Sequence, residues 1–224
     1  MHAARQITMK APSPTLIILG AGLSSRFVGP GHKLARNLGG RSLFSRTLGK
    51  ALATGLPVKV VTTELLLPLV LPQVARRDVL VLPSADSQSR LGMGYSIATG
   101  VRASMDAAGW LVLPADMPLV EASTILRVAQ ELPSRTVVYP QHRGRRGHPV
   151  GFSAELVSEL VGLTGDEGAR RIVARYPGHA LDVDDAGVLQ DFDTEADFLA
   201  FESPAGRANS HRLDSTNTGN TASA

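Results

Sequence analysis

The residues best suited to chemistry lie in "LIILGAGLSSRFVGPGHKL", residues 16 to 34. The apolar run Leu16-Ile17-Ile18-Leu19 reads as a buried strand that stops at Gly20-Ala21-Gly22. Glycines at such a point let backbone amides approach a phosphate closely. Ser24, Ser25, Arg26 and then Lys33 follow. Two cations beside exposed amides suit a triphosphate. The pattern G-x-G-x-x-small would also suit a dinucleotide, but that requires an acid about 20 residues on to hold a ribose. The first acid after the loop is Glu64, far beyond that distance. No G-K-[ST] closes the loop, so it is not a Walker loop. The plainer alternative is a tight strand-to-helix turn with surface cations.

Further along, "WLVLPADMPLV" (110-120) places Asp116 just past another apolar run, and Pro118 prevents the ladder from continuing. A carboxylate at a strand's carboxyl end, facing a phosphate loop, is where Mg²⁺ would be held. That ion takes one or two carboxylates plus substrate phosphates and waters, and Mn²⁺ is an alternative. A turn or cap role is the simpler reading of Asp116. In "RLGMGYSIATG" (90-100), Gly92, Gly94 and Ser96 open a helix. Small residues there can admit a ribose or base edge against free amides, or do no more than cap. In "LQDFDTEADFL" (189-199), Asp191 and Asp193 alternate on a short extended piece before an acidic helix start. One of them can join Asp116 on a metal, or the stretch is only a cap. Two carboxylates brought together need a cation between them. "QHRGRRGHPVGF" (141-152) carries three arginines and His148, extended before Pro149. It reads as a solvated basic loop or the lining of a site. "LTGDEGARRI" (163-172) places Asp166 at or near a helix N-cap, with Arg170 on the helix.

The elements that must position these residues are short apolar runs alternating with amphipathic stretches. Strands are expected at 15-20, 58-62, 79-82, 110-114 and 136-139, with weaker ones at 148-152 and 180-183. Helices are expected at 42-53, 93-108, 122-132, 153-161 and 166-176, with a last short one after 191-194. The alternation predicts an α/β fold, a mostly parallel sheet with helices on both faces. In such sheets the ligand lies outside the carboxyl ends of the strands. That is where the loops after 19 and 114 end.

The chain has 224 residues, 43% of them hydrophobic, which suits one sizeable core. Without cysteine it has no disulfide, thiolate metal site or cysteine nucleophile. A formal charge of +3 and 4% aromatics do not suggest a nucleic-acid surface. No run approaches the ~18 apolar residues of a membrane span, so a cytoplasmic protein without membrane partners is expected. Residues 1-14 read as a flexible tail, 15-202 as the domain, and 203-224, rich in Ser, Thr, Asn and Gly, as disordered.

Taken in order, the glycine loop with Arg26 and Lys33, "GMGYSIATG", "ADMP", "RGHPV", "GDEGAR" and "DFDTEAD" resemble the MobA-like nucleotidyltransferases. Within them the chain is most similar to the molybdenum cofactor cytidylyltransferases. The resemblance implies a Rossmann-like fold and Mg²⁺-dependent transfer of CMP from CTP to a phosphate of molybdopterin-type cofactor, releasing pyrophosphate. It implies that Leu19, Gly20, Ala21, Gly22, Ser24 and Ser25, with Arg26 and Lys33, hold the triphosphate. Gly92, Gly94 and Ser96 would border the nucleotide. Asp116 and Asp193 would hold the metal, and His148, Pro149, Asp166 and Arg170 would border the acceptor. An apo-molybdoenzyme or its maturation chaperone is an implied partner. The chain departs from the family pattern in the longer "FVGPGH" before Lys33, in "LGAG" at 19-22, and in Glu195 where proline is usual. Guanylyl or sugar-phosphate transfer on the same fold is the near alternative. An NAD(P)-dependent oxidoreductase, or a non-catalytic nucleotide-binding cofactor chaperone, is the alternative of another class.

Overall fold

The computed structural model describes residues 12-22, 31-83 and 92-202. Ser24, Ser25, Arg26, residues 1-11 of the expected first tail and all of 203-224 lie outside the described residues. The chain starts with β1 (Thr15–Leu19) and reaches a single 3-10 turn at Lys33–Ala35. A small hairpin, β2 (Asn37–Leu38) and β3 (Arg41–Ser42), leads into α1 (Leu43–Leu52). Then come β4 (Val58–Thr63), α2 (Leu67–Val70), β5 (Val79–Leu82), α3 (Gly92–Arg102), β6 (Gly109–Pro114) and α4 (Ala122–Glu131). The second half holds β7 (Val137–His142), β8 (Arg145–Arg146), β9 (Val150–Ser153), α5 (Val157–Val161), α6 (Arg170–Arg175), β10 (Gly178–Asp182) and α7 (Glu195–Glu202).

The main sheet runs β10-β7-β9-β6-β1-β4-β5, with β8 paired to β7. β1 lies parallel to both β4 and β6, and β10 parallel to β7. β9 runs antiparallel to β6 and β7, and β8 antiparallel to β7, so the sheet is mostly parallel rather than wholly so. Strand pleating sends alternate side chains to opposite faces. Leu16 and Ile18 join a core with α1, α4 and α7 through Phe44, Leu48, Ile125 and Phe198. Ile17 joins a second core with α3, α5 and α6 through Ile97, Leu160 and Ile172. Helices therefore cover both faces, as the alternation of runs requires.

Three expected helices are shorter than their periodicity suggests: α5 begins at Val157, not 153, with a 3-10 turn, Ala154–Leu156, before it. α3 ends at Arg102, not 108. Past it, the Trp110 indole N–H donates to the Ser104 carbonyl and hydroxyl, 3.2 and 3.1 Å away, tying this turn to the start of β6. α6 starts at Arg170, not 166. Gly165 and Gly168 have φ of 66° and 59°, a left-handed backbone that cannot continue a right-handed helix. The residue preceding α6 is Ala169, so Asp166 is not its N-cap.

α4 has no side-chain cap of its own, and a distant residue supplies one. Asp185, 5% exposed, accepts from the Glu121 N–H (3.0 Å) and the Thr124 hydroxyl (2.7 Å) with Oδ2. Its Oδ1 accepts from the Gly187 N–H at 2.9 Å. The segment after β10 is thereby fastened to the helix that follows the Asp116 loop. Replacing Asp185 with Ala strands these donors, each hydrogen bond to a charged group being worth about 1.5–3 kcal/mol. Asp185→Ala should therefore lower unfolding stability by roughly 3 kcal/mol, measured in urea titrations. A change below about 0.5 kcal/mol, the size typical of surface substitutions, would mean that the cap is dispensable.

Candidate active site

The site forms where the sheet's connections part. β1 lies between β4 and β6, and Leu19 pairs with Val61 on one side and Pro114 on the other. The carboxyl ends of β1 and β6 are therefore neighbours, and the glycine loop and the Asp116 loop leave the sheet side by side. The Ala115 N–H donates to the Leu19 carbonyl at 2.9 Å, extending the ladder one residue. From α1, the buried Thr47 hydroxyl donates to the Ala115 carbonyl at 2.7 Å. The Asp116 backbone carbonyl accepts from the Phe192 N–H at 3.0 Å, which brings the "DFDT" segment across.

At this junction three distant residues meet. The Lys33 ammonium donates to Asp116 Oδ2 at 2.8 Å and to Asp193 Oδ1 at 2.5 Å. The Lys33 side chain is 8% exposed, against 21% for Asp116 and 19% for Asp193. Burial pulls the Lys33 pKa down, but the two carboxylates outweigh it and raise it above the ordinary lysine value. The ammonium thus stays charged. Both carboxylates meet at one cation, and that cation here is Lys33. Asp191 is exposed and Asp193 partly buried, and it is Asp193 that accepts from Lys33; strict alternation would have put the two acids on one face, so the segment turns between them.

Each partner is held by its own local device. Asp197 Oδ2 accepts from the Asp193 N–H (3.0 Å), the Thr194 N–H (2.7 Å) and the Thr194 hydroxyl (2.8 Å) at the start of α7. Burial pushes Asp197 up, but these hydrogen bonds outweigh it and keep it below the ordinary aspartate value. Phe192 packs edge-on against Phe198 and Phe201, 5.4 and 6.0 Å between centroids, which docks the segment into the core. On the other side, His32 caps the Lys33 turn: its Nδ1 accepts from the Leu34 N–H at 3.2 Å. That leaves the proton of the neutral ring on Nε2, 3.3 Å from the Gly22 carbonyl. Burial holds the His32 pKa below the ordinary histidine value; the Gly22 bond opposes this and nearby Lys33 adds to it. The Arg36 guanidinium makes a bidentate pair with Glu195, linking the Lys33 turn to α7. A cavity of about 360 Å³ opens here, lined by Gly31, His32, Ala35, Arg36 and Glu195.

The two loop glycines differ in role. A Cβ on Gly20 would come 2.5 Å from the Phe44 ring, so Gly20 is needed for packing. A Cβ on Gly22 would meet nothing within 4 Å among the described residues, so packing among them does not require this glycine. Leu19 and Ala21 pack against the second core. Gly92 and Gly94 are pressed against another loop: a Cβ would come 2.2 Å from Gly165 and 2.6 Å from Thr164 respectively. The Gly94 N–H donates to the Gly165 carbonyl at 2.8 Å, and the Ser96 hydroxyl donates to the Gly92 carbonyl at 3.2 Å. Asp166, exposed, belongs to this second grouping, its backbone nitrogen lying 2.7 Å from where a Cβ on Gly92 would be, and Arg170, also exposed, begins α6. His148 belongs to the first. Burial lowers its pKa, with opposing pulls from Asp116, the Val112 carbonyl and Asp191. Pro149 beside it is buried.

Whether a cation suits this site can be judged from its donors. Asp116 Oδ1 is shut off from solvent and has no hydrogen-bond partner among the described residues, as is His148 Nδ1. A buried carboxylate oxygen without a partner is suited to a hard cation. Among the described residues no three His, Asp or Glu side chains form a cage, so such a cation would rely on substrate oxygens as well. His32, Thr47, Arg36 and Glu195 as site-holding residues were not foreseen from sequence. The one local signal was Glu195 in place of proline.

Known proteins resemble this chain over most of its length. The chain is 31% identical over 204 residues to the purine catabolism protein PucB of Bacillus subtilis (strain 168), covering 85% of this chain and 96% of that one. The structure of Rv0371c from Mycobacterium tuberculosis H37Rv superposes with a TM-score of 0.70 at 26% identity, covering 84% of this chain and 97% of that one. A manganese complex of Rv0371C from the same organism superposes with a TM-score of 0.63 at 23% identity, covering 78% and 89%. The family model "MobA-like NTP transferase domain" matches residues 16–181, from β1 into β10. By that match the chain belongs to the MobA-like NTP transferases.

Proposed function

We propose that this protein transfers CMP from CTP to a phosphate of a molybdopterin-type molybdenum cofactor. The observation that carries the transferase reading is the buried Lys33 ammonium joined to Asp116 and Asp193 at the carboxyl ends of β1 and β6. The run "RGHPV", "GDEGAR" and "DFDTEAD" supports the cytidylyl choice. An oxygen of the acceptor phosphate attacks the α-phosphorus of CTP. One P–O bond forms, the bond between the α-phosphorus and its bridging oxygen breaks, and pyrophosphate leaves with that oxygen. The acceptor is already ionised at neutral pH, so no general base is needed. The protein's work is positioning and charge neutralisation.

Lys33 supplies a positive charge beside the triphosphate loop, with Arg26 as the expected second cation. Gly22 leaves room for phosphate oxygens near backbone amides. Mg²⁺ or Mn²⁺ held by Asp116 and Asp193 would offset the charge of the triphosphate and its leaving group. The manganese complex of Rv0371C supports a divalent ion in this fold. His148 and Pro149 would border the acceptor, which an apo-molybdoenzyme or its chaperone then receives from a cytoplasmic enzyme.

Pyrophosphate release, measured with each of the four NTPs with and without molybdopterin cofactor, tests the reaction. It should require the cofactor and be fastest with CTP. Equal or faster release with GTP would move the base choice to guanine, and none with any NTP would sink the transferase reading. The glycines give a second test. Gly20→Ala should cost about 1–3 kcal/mol of stability through Phe44. Gly22→Ala should leave the urea midpoint unchanged but raise KM for the triphosphate. Loss of stability in Gly22→Ala, or an unchanged KM, would take that residue out of the binding loop.

A further inference from the structure

The Lys33 ammonium occupies the place between Asp116 Oδ2 and Asp193 Oδ1 where a divalent cation bridging these carboxylates would go. We propose that Lys33 and a divalent cation are alternative occupants of the Asp116–Asp193 pair, and that a triphosphate admits the cation by drawing Lys33 away. This rests on reading these two aspartates as the cation pair. Three observations carry it. The two contacts, at 2.8 and 2.5 Å, leave no space for a second positive charge between the same oxygens. The three groups together carry one net negative charge, so the pair still attracts a cation. Asp116 Oδ1, buried and without a hydrogen-bond partner among the described residues, is an unused acceptor for a cation that takes the place of Lys33.

Neither half of the exchange is favourable alone. Lys33 cannot leave two mostly buried carboxylates facing one another without a cation. A bare cation must displace an ammonium that is itself well paired. A metal–triphosphate complex does both at once: the phosphates take the ammonium and the metal takes the carboxylates. The unbranched lysine stem, with its rotatable bonds, permits the swing. The affinity for the bare ion is therefore kept low, and the site is completed only when the substrate arrives.

The test is Mn²⁺ binding to the full chain without nucleotide, read by the loss of the free-ion electron paramagnetic resonance signal. Lys33→Met should bind Mn²⁺ on the order of ten-fold or more tightly than wild type. Lys33→Arg, which keeps the charge, should stay near wild type, and Lys33→Met with Asp193→Asn should lose the gain. Equal affinity in Lys33→Met and wild type would overturn the exchange. Wild type alone supplies an independent readout should Lys33→Met fold poorly. Acylation of Lys33 by an amine reagent, followed by peptide mass spectrometry, should be slow without metal and rise in step with Mn²⁺ occupancy. An unchanged rate while Mn²⁺ fills its site would also overturn it. No turnover enters these measurements. A failed exchange leaves the pyrophosphate result standing, and absent pyrophosphate release leaves the exchange standing.

Discussion

The ammonium of Lys33, held between Asp116 and Asp193, is the contact on which the arrangement of the site depends. Its members come from three separate pieces: the turn after the glycine loop, the end of β6 and the entry to α7. An isolated aspartate in this crevice would be a poorly compensated charge, and two without a cation would repel. Burial by itself pulls the Lys33 pKa down, and Asp116 and Asp193 together outweigh it, so the lysine pKa lies above its ordinary value. The remaining single negative charge leaves the cluster receptive to a further cation. A triad that is stable at rest and still short of positive charge suits a site that must bind an anionic triphosphate together with a metal.

Much of the surrounding structure serves to bring those pieces together. The parallel placement of β1 between β4 and β6 puts two carboxyl ends side by side. Thr47 fixes the loop of Asp116, Phe192 and the Asp197 cap fix Asp193, and His32 fixes the turn of Lys33. Arg36 and Glu195 join the two outer pieces at the surface, where an ion pair contributes orientation more than stability. The glycines divide between roles. Gly20, Gly92 and Gly94 let parts of the protein pack against each other, whereas a side chain at Gly22 would touch none of the described residues within 4 Å.

Strands β1, β4, β5 and β6 were legible because a largely buried strand is a short continuous apolar run; the run from Leu65 to Leu71 has the same character but, with Pro68 inside it, forms the short α2 instead. The reversed direction of β9 was not legible, since direction is set by the connection and not by local pattern. The ends of α3 and α6 were misread for a shared reason. Periodicity continued past the point where Trp110, or the positive φ of Gly165 and Gly168, brings in a different backbone. At the site, the residue types at Lys33, Asp116 and Asp193 stood out. What the sequence could not show was that the lysine would lie between the acids. Glu195 and His32 were opaque as well, because a salt-bridge partner and a ring tautomer are decided by tertiary neighbours.

A double-mutant cycle on Lys33 and Asp193 tests this account most directly. Urea unfolding would be measured for wild type, Lys33→Met, Asp193→Asn and the double variant, without metal or nucleotide. The two residues lie far apart in sequence, so a coupling energy between them reports the folded contact alone. A coupling of at least about 1 kcal/mol is expected, with the double variant less destabilised than the sum of the single ones. Effects that add within about 0.5 kcal/mol would contradict it.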